Sequence, residues 1–388
     1  MAESSTLAMA RMARELKAEG HDVIALSLGE PDFDTPDHIK EAAKRALDAG
    51  YTKYTPVNGL PELREAIVRK FRRDNGLDYT VDDIVVSNGA KQSIANLCLA
   101  LLNEGDEAIV LAPDWVSYFE QIKLAGGVPV VLRAGVDEDY KVAPERLADA
   151  ITDRTRFVLF SSPGNPTGSV YHRGELAAIA EVLAEHPDVL VVSDEIYEYI
   201  QFGREHVSIA SLPGMRERTV TVNGFAKGFA MTGWRLGYIG APRWLAAACT
   251  KIQGQFTSGA NAFAQRAAAD ALDADLGPTR AMRDAFERRR DLVVSAIREI
   301  DGFVCNVPEG AFYVFPDVST LFGRRAPDGT AIDTADELAM YLLREAHVAT
   351  VSGSGFGNDD CIRISFAASE EQLTEALARI RRAVAALA

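Results

Sequence analysis

The chain has 388 residues, 47% of them hydrophobic, enough to bury a sizeable core, and its length suggests two domains. Its 41 lysines and arginines stand against 56 aspartates and glutamates, so the net charge is −15. That balance argues against a nucleic-acid surface or a basic membrane patch and leaves small molecules or further copies of the chain as partners.

Leu7, Met9, Met12, Ala13 and Leu16 recur at helical spacing before Gly20 and predict an amphipathic first helix. DVIALSLGEPDFDTP reads as a short strand running into a loop. PELREAIVRKFRRDNG predicts a helix opened by Pro61 and closed at Gly76. Strands and helices then alternate: strand DIVVSNGA, helix KQSIANLCLALLNEG, strands EAIVLAP and VPVVLRA, helix APERLADAI, strand RFVLFSSP, a helix from Arg173 to Leu183, and strands VLVVSDE and TVTVNGF. Continuous Val, Ile and Leu runs separated by helices predict an α/β fold with a mainly parallel sheet covered on both faces. After about Met282 the rhythm changes. A long helix through FERRRDLVVSAIREI leads to strands GFVCNV, AFYVFPDV, VATVSG and CIRISFAA, with helices near Leu338 and from Ser369. This predicts a smaller α+β unit, joined by the N-terminal segment.

Cys98, Cys249, Cys305 and Cys361 are scattered without paired spacing, so neither a disulfide framework nor a metal site is expected. No basic-then-apolar leader and no apolar run of membrane-spanning length stands out, and a cytoplasmic protein is expected.

In open α/β sheets ligands bind at the carboxyl ends of the strands, and the unusual residues of this chain fall there. Gly89 and Ala90 in GAKQ permit close backbone approach at a helix start, a setting for a phosphate, though any tight strand-to-helix turn would look alike. Pro163, Gly164, Pro166 and Gly168 make a stiff turn around Asn165. Asp194, past an apolar strand, either finds a partner or caps the next turn. Lys227 stands in TVNGFAKGFAMTGWRLGY among glycines, aromatics and small residues, where desolvation would lower its pKa and make it a nucleophile. A Schiff-base lysine, a carboxylate facing a ring nitrogen and a phosphate cradle with Arg235 nearby are together what pyridoxal 5′-phosphate requires. GSGFG at 353–357 imitates a dinucleotide turn, but a strand follows where that fingerprint needs a helix, so nicotinamide chemistry is discounted.

The motifs GEPDFDTP, KYTPVNGLPELREAI, NGAKQ, WVSY, NPTG, SDEIY, KGFAMTGWRLGY and RISFA run in that order along the chain, from about Ser4 onward. Together they resemble the fold-type I pyridoxal-phosphate aminotransferases, and within class I the bacterial aspartate aminotransferase branch. The resemblance implies a seven-stranded sheet sandwiched by helices in a large cofactor-binding domain (34–282) and a small substrate-closing domain (1–33 plus 283–388). It also implies a homodimer with active sites at the interface.

By the same resemblance, Lys227 would be the Schiff-base lysine and proton carrier, Asp194 would face the ring nitrogen, and Asn165 and Tyr197 would hold the ring's 3-hydroxyl oxygen. Trp115 would stack on the ring beside the substrate. Gly89, Ala90, Lys91 and Arg235 would hold the phosphate, joined by Ser258 and, across the dimer interface, by Tyr54. Arg363 would take the substrate α-carboxylate in a two-pronged salt bridge, helped by Asn165 and the backbone of Gly29. Lys91, with hydroxyls of Ser4 and Thr6, would meet a distal carboxylate, which favours aspartate and 2-oxoglutarate as the amino acid and 2-oxo acid pair.

Two departures weigh against that choice. Asp114, where relatives often carry tyrosine, would repel an acidic substrate unless it points away or is paired. Phe256, where a small hydroxyl residue is more usual, would favour a bulkier or apolar side chain. Transamination of aromatic or neutral amino acids, prephenate as an acceptor, and a β-lyase of the same fold are the alternatives; a binding protein without catalysis is disfavoured by the intact lysine set.

Overall fold

The computed structural model describes residues 5–388. A short strand, β1 (Ile24–Ala25), precedes seven that make the central sheet: β2 (Ile84–Ser87), β3 (Glu107–Ala112), β4 (Val128–Arg133), β5 (Thr155–Ser161), β6 (Leu190–Asp194), β7 (Thr219–Gly224) and β8 (Gly237–Gly240). Their order is β2-β8-β7-β6-β5-β3-β4. β8 runs antiparallel to both neighbours and every other pair is parallel, so the sheet is mainly parallel as expected.

Both faces of this sheet are covered. Along β3, Ala108 and Val110 pack with Leu97, Ile122 and Leu245 on one side, while Ile109 and Leu111 pack with Leu176, Ile179 and Leu183 on the other. Phe157 and Leu159 of β5 divide from Val158 and Phe160 in the same way. Two-sided burial is why these strands read as unbroken apolar runs. Each such Val, Leu or Phe contributes about 1.5–3 kcal/mol on burial, which lets the sheet hold polar groups firmly at its edge. Pro61 opens the helix Pro61–Asn75, and Gly76 closes it in the left-handed conformation, both as the sequence predicts. The structure adds helices at Asp37–Asp48, Arg243–Phe256 and Ala262–Asp273; in the last two, runs of alanine blur the apolar periodicity.

The C-terminal part contributes β9 (Tyr313–Val314), β10 (Arg324–Arg325), β11 (Ala331–Ile332), β12 (Val348–Ala349), β13 (Val351–Ser352) and β14 (Ile362–Ser365). β13, β14 and β9 form an antiparallel sheet, and β1 pairs in parallel with β12. Phe312, Val314, Ile362 and Ile364 pack against Val293, Leu338, Leu342 and Leu377 of the surrounding helices. The first helix, Ser5–Ala18, buries Met9 and Ala13 against Ala339, Leu343 and Ala349, which ties the N-terminal segment to this unit. GFVCNV, expected as a strand, makes only an isolated bridge from Val304 to Asp317. Val304 and Val307 are 50% and 44% exposed, so the segment has no second apolar face to bury. No helix among the described residues is long and apolar enough to cross a membrane.

Candidate active site

The carboxyl ends of β2, β3, β5, β6 and β7 lie along one edge of the sheet, and just past or at them stand Gly89, Trp115, Asn165, Asp194 and Lys227. Together with Gly29, Glu30 and Arg363 of β14 they line a cavity of about 470 Å³, a size suited to a small ligand.

Lys227 is partly buried; its amine donates to the Gly29 carbonyl and lies 5.8 Å from the Tyr197 ring centroid. Burial pulls its pKa down to about 8, with Arg363 and Arg235 pulling the same way against Glu30 and Asp194. Burial pushes Asp194 up to about 6. Two hydrogen bonds oppose that rise: Tyr118 Oη donates to Oδ2 at 2.6 Å, and the Ile196 N–H donates to Oδ1 at 3.2 Å. Asp194 therefore caps the turn after β6 with one oxygen and is anchored by Tyr118 through the other. Tyr197 and Tyr313 share a hydrogen bond between their hydroxyls at 2.8 Å. Burial first, and then Tyr313, holds the Tyr197 phenol well above its usual range, so it stays protonated and able to donate.

Gly89 has φ 86° and ψ 159°, a region essentially closed to residues with a side chain. A Cβ there would lie 2.5 Å from Arg235 Nη2. The start of the helix Ala90–Leu101 thus faces the Arg235 guanidinium across a gap that only glycine leaves free, an anion cradle with charge on one side and helix N–H groups on the other. Arg235 donates only to the carbonyls of Thr232 and Asn88 and pairs with no carboxylate among the described residues. Lys91 Nζ lies 4.7 Å from the Trp115 ring centroid, and burial, then Arg235, lowers its pKa.

Arg363 is 1% exposed. Its Nη1 donates to Asn165 Oδ1 at 2.9 Å and its Nη2 to the Ser27 carbonyl at 2.6 Å. Tyr313 and Phe356 lie against the guanidinium at 4.6 and 4.8 Å. Among the described residues its Nε has no partner and no carboxylate pairs with it. A buried cation without a counter-charge is costly, and this one lines a cavity, so it is set to take an anion from outside.

A low-pKa amine, an anchored carboxyl group and an anion cradle opened by Gly89 are groups that could hold pyridoxal phosphate. The sequence matches the family model "Aminotransferase class I and II" over residues 21–380. The chain belongs to the class I and II aminotransferases. It is a pyridoxal-phosphate-dependent transaminase, moving an amino group from an L-amino acid to a 2-oxo acid. When bound, the cofactor supplies an electron sink for chemistry at the substrate α-carbon. The aminotransferase is similar to the aspartate/prephenate aminotransferase of Cereibacter sphaeroides, with 49% identity over 386 residues covering 99% of this chain and 96% of that one. Among solved structures it superposes on the aspartate aminotransferase of Rhizobium meliloti with a TM-score of 0.97 at 44% identity, covering 100% of this chain and 98% of that one. It superposes on the Thermus thermophilus aspartate aminotransferase with maleate with a TM-score of 0.92 at 44% identity, covering 99% and 97%.

The two residues expected to weigh against an acidic substrate, Asp114 and Phe256, do not reach the cavity. Asp114 is 2% exposed and turns away, accepting from Ser161 Oγ at 2.6 Å, Ser161 N at 2.8 Å and Trp115 N at 2.8 Å. Burial pushes its pKa up to about 8, so it is largely neutral near pH 7, and it faces away from the cavity. Phe256, at the end of the helix Arg243–Phe256, is 70% exposed and absent from the cavity wall, so it gives no ground for a bulkier substrate in a single chain. Tyr54 and Ser258 also lie outside the cavity of one chain, Tyr54 being 99% exposed. Thr6 lines the cavity, while Ser4 lies outside the described residues. Sequence reasoning overlooked Glu30, Tyr118, Ser161 and Tyr313, all of which line the cavity. Tyr118 sits inside the WVSY motif, so its signal was present; Glu30 sits inside GEPDFDTP.

Proposed function

We propose that this aminotransferase acts on L-aspartate and 2-oxoglutarate, giving oxaloacetate and L-glutamate, as a cytoplasmic homodimer. The observation that carries this reading is that, of the cations lining the cavity without an acidic partner among the described residues, two are not taken by the Schiff base or the phosphate, the Arg363 guanidinium and the Lys91 amine. Arg363 takes the α-carboxylate with its planar fork, and the Lys91 side chain takes the distal carboxylate. Asn165 and the Gly29 backbone assist Arg363, and Trp115 walls the site. Lys227 carries the proton removed from the substrate α-carbon, Asp194 faces the cofactor's ring nitrogen, and Asn165 and Tyr197 hold its ring oxygen. Gly89, Ala90 and the Lys91 backbone, with Arg235, hold the phosphate.

The full exposure of Tyr54 supports a dimer in which Tyr54 of the partner subunit, with Ser258, completes that phosphate site. Residues 1–33 plus 283–388 would then close on 34–282 around the substrate. The similar proteins from Cereibacter sphaeroides and Rhizobium meliloti are named for aspartate, and the Thermus thermophilus structure holds maleate, itself a dicarboxylate. The first of those names also includes prephenate, which makes prephenate a second acceptor to try.

A half-reaction panel tests the reading: holoenzyme is mixed with each amino acid and the near-visible band of the bound cofactor is followed. Aspartate and glutamate should react fastest. Faster reaction with neutral or aromatic amino acids would reject the dicarboxylate assignment, and release of pyruvate and ammonia without an acceptor would point to a lyase.

A further inference from the structure

Asp114 has no part in the roles assigned above, yet it is tied to both sides of the Arg363 site. Its carboxyl group accepts from Ser161 Oγ and from the N–H groups of Ser161 and Trp115. Ser161 Oγ in turn accepts from the Asn165 N–H at 3.3 Å, and Asn165 Oδ1 holds Arg363 Nη1. On the other side, the Asp114 N–H donates to the Phe356 carbonyl at 3.0 Å, and the Phe356 ring lies 4.8 Å from the guanidinium. Asp114 thus links β3, β5 and the loop before β14 at the point where the two units meet around Arg363.

We propose that Asp114 is a positioning residue for the carboxylate site, fixing Arg363 through Ser161 and Asn165 and setting Trp115 through its backbone N–H. This rests on the assignment of Arg363 to the substrate α-carboxylate. The link to Ser161 survives either protonation state of Asp114, because the serine hydroxyl can donate to a carboxylate or accept from a carboxylic acid. An asparagine at 114 keeps some of the three bonds, since its amide nitrogen would face a donor N–H at one of them. An alanine keeps none. Buried groups left without partners relax toward other contacts, so Asn165 and the guanidinium lose their shared orientation.

The test uses holoenzyme and succinate, a dicarboxylate with no amino group to transfer, with binding measured by calorimetry alongside KM and kcat for aspartate. Asp114→Ala and Ser161→Ala should each weaken succinate about 10-fold and raise KM more than they lower kcat, and Asp114→Asn should recover part of the loss. If Asp114→Ala does not fold, Ser161→Ala decides alone. Succinate binding within two-fold of the parent in Ser161→Ala, or an Asp114→Asn as weak as Asp114→Ala, would overturn the proposal. Arg363→Ala separates the two readings: if it leaves succinate binding intact, the carboxylate assignment itself fails, whereas loss in Arg363→Ala alone removes only the role of Asp114.

Discussion

Tyr118 donates a 2.6 Å hydrogen bond to Asp194, and both side chains are buried. Burial pushes Asp194 up to about 6, and this bond is the first of the contacts that hold it down. Tyr118→Phe should therefore leave Asp194 less often charged at neutral pH, weakening its hold on a protonated ring nitrogen. A hydrogen bond to a charged group contributes about 1.5–3 kcal/mol, so cofactor retention should fall about 10-fold or more. Equilibrium dialysis of pyridoxal phosphate from the two proteins measures this, and equal retention would show that Asp194 does not depend on Tyr118.

Much of this architecture was legible because two-sided burial writes itself into unbroken apolar strands, as in EAIVLAP and RFVLFSSP. β8 was not, since GYIG is short and half glycine and takes its place only by pairing with β2 and β7. Within the site, Lys227, Asp194 and Asn165 stand out by their chemically odd company, while Arg363 is singled out only by the family motif RISFA. The direction of a side chain leaves no such mark. Asp114 looked like a charge beside the pocket and is instead turned into Ser161, while Tyr313 reaches Tyr197 from a strand separated from it by over a hundred residues. Such contacts depend on how segments distant in sequence meet, which no local pattern records.

The backbone at Gly89 makes a second prediction. With φ 86° and ψ 159°, a side chain there is strained by about 1–3 kcal/mol, and its Cβ would press on Arg235 Nη2. Gly89→Ala should fold but purify largely without cofactor, with its affinity for pyridoxal phosphate reduced about 10- to 100-fold. Absorbance titration of the apoprotein with the cofactor provides the check. Parental affinity would mean that the phosphate lies elsewhere.

Arg363 offers a third. Lysine keeps the positive charge but cannot bridge Asn165, the Ser27 carbonyl and a carboxylate at once. Disturbing a buried charged contact of this kind costs about 2–5 kcal/mol, so Arg363→Lys should lower kcat/KM for aspartate by about 100-fold, mainly through KM, with cofactor content unchanged. An unaltered KM would place the α-carboxylate on another group.

The electrostatics of Lys227 set a pH dependence. Burial lowers its pKa to about 8, so the amine is a protonated, poor nucleophile below that pH and a neutral one above it. Trace acetylation of the apoenzyme with acetic anhydride, read by peptide mass spectrometry, should show Lys227 gaining reactivity with a midpoint near pH 8. An ordinary lysine would gain it only about 2 units higher. A midpoint near 10 would show that the cavity does not depress this amine.

The exposure of Tyr54 allows the dimer to be tested through catalysis rather than size alone. If Tyr54 serves the neighbouring chain's phosphate site, Tyr54→Phe should weaken cofactor binding in every site of a pure dimer, and Lys227→Ala should abolish turnover in every site. A mixed dimer of the two variants is different. The subunit carrying Tyr54→Phe keeps its own Lys227 and receives an intact Tyr54 from its partner, so one of the two sites is wholly parental. Refolding an equal mixture, then titrating activity against pyridoxal phosphate, should reveal a fraction of sites with parental cofactor affinity and turnover. If Tyr54 acts within its own chain, no site in the mixed dimer has both residues intact, and only the weak-affinity activity of Tyr54→Phe should remain.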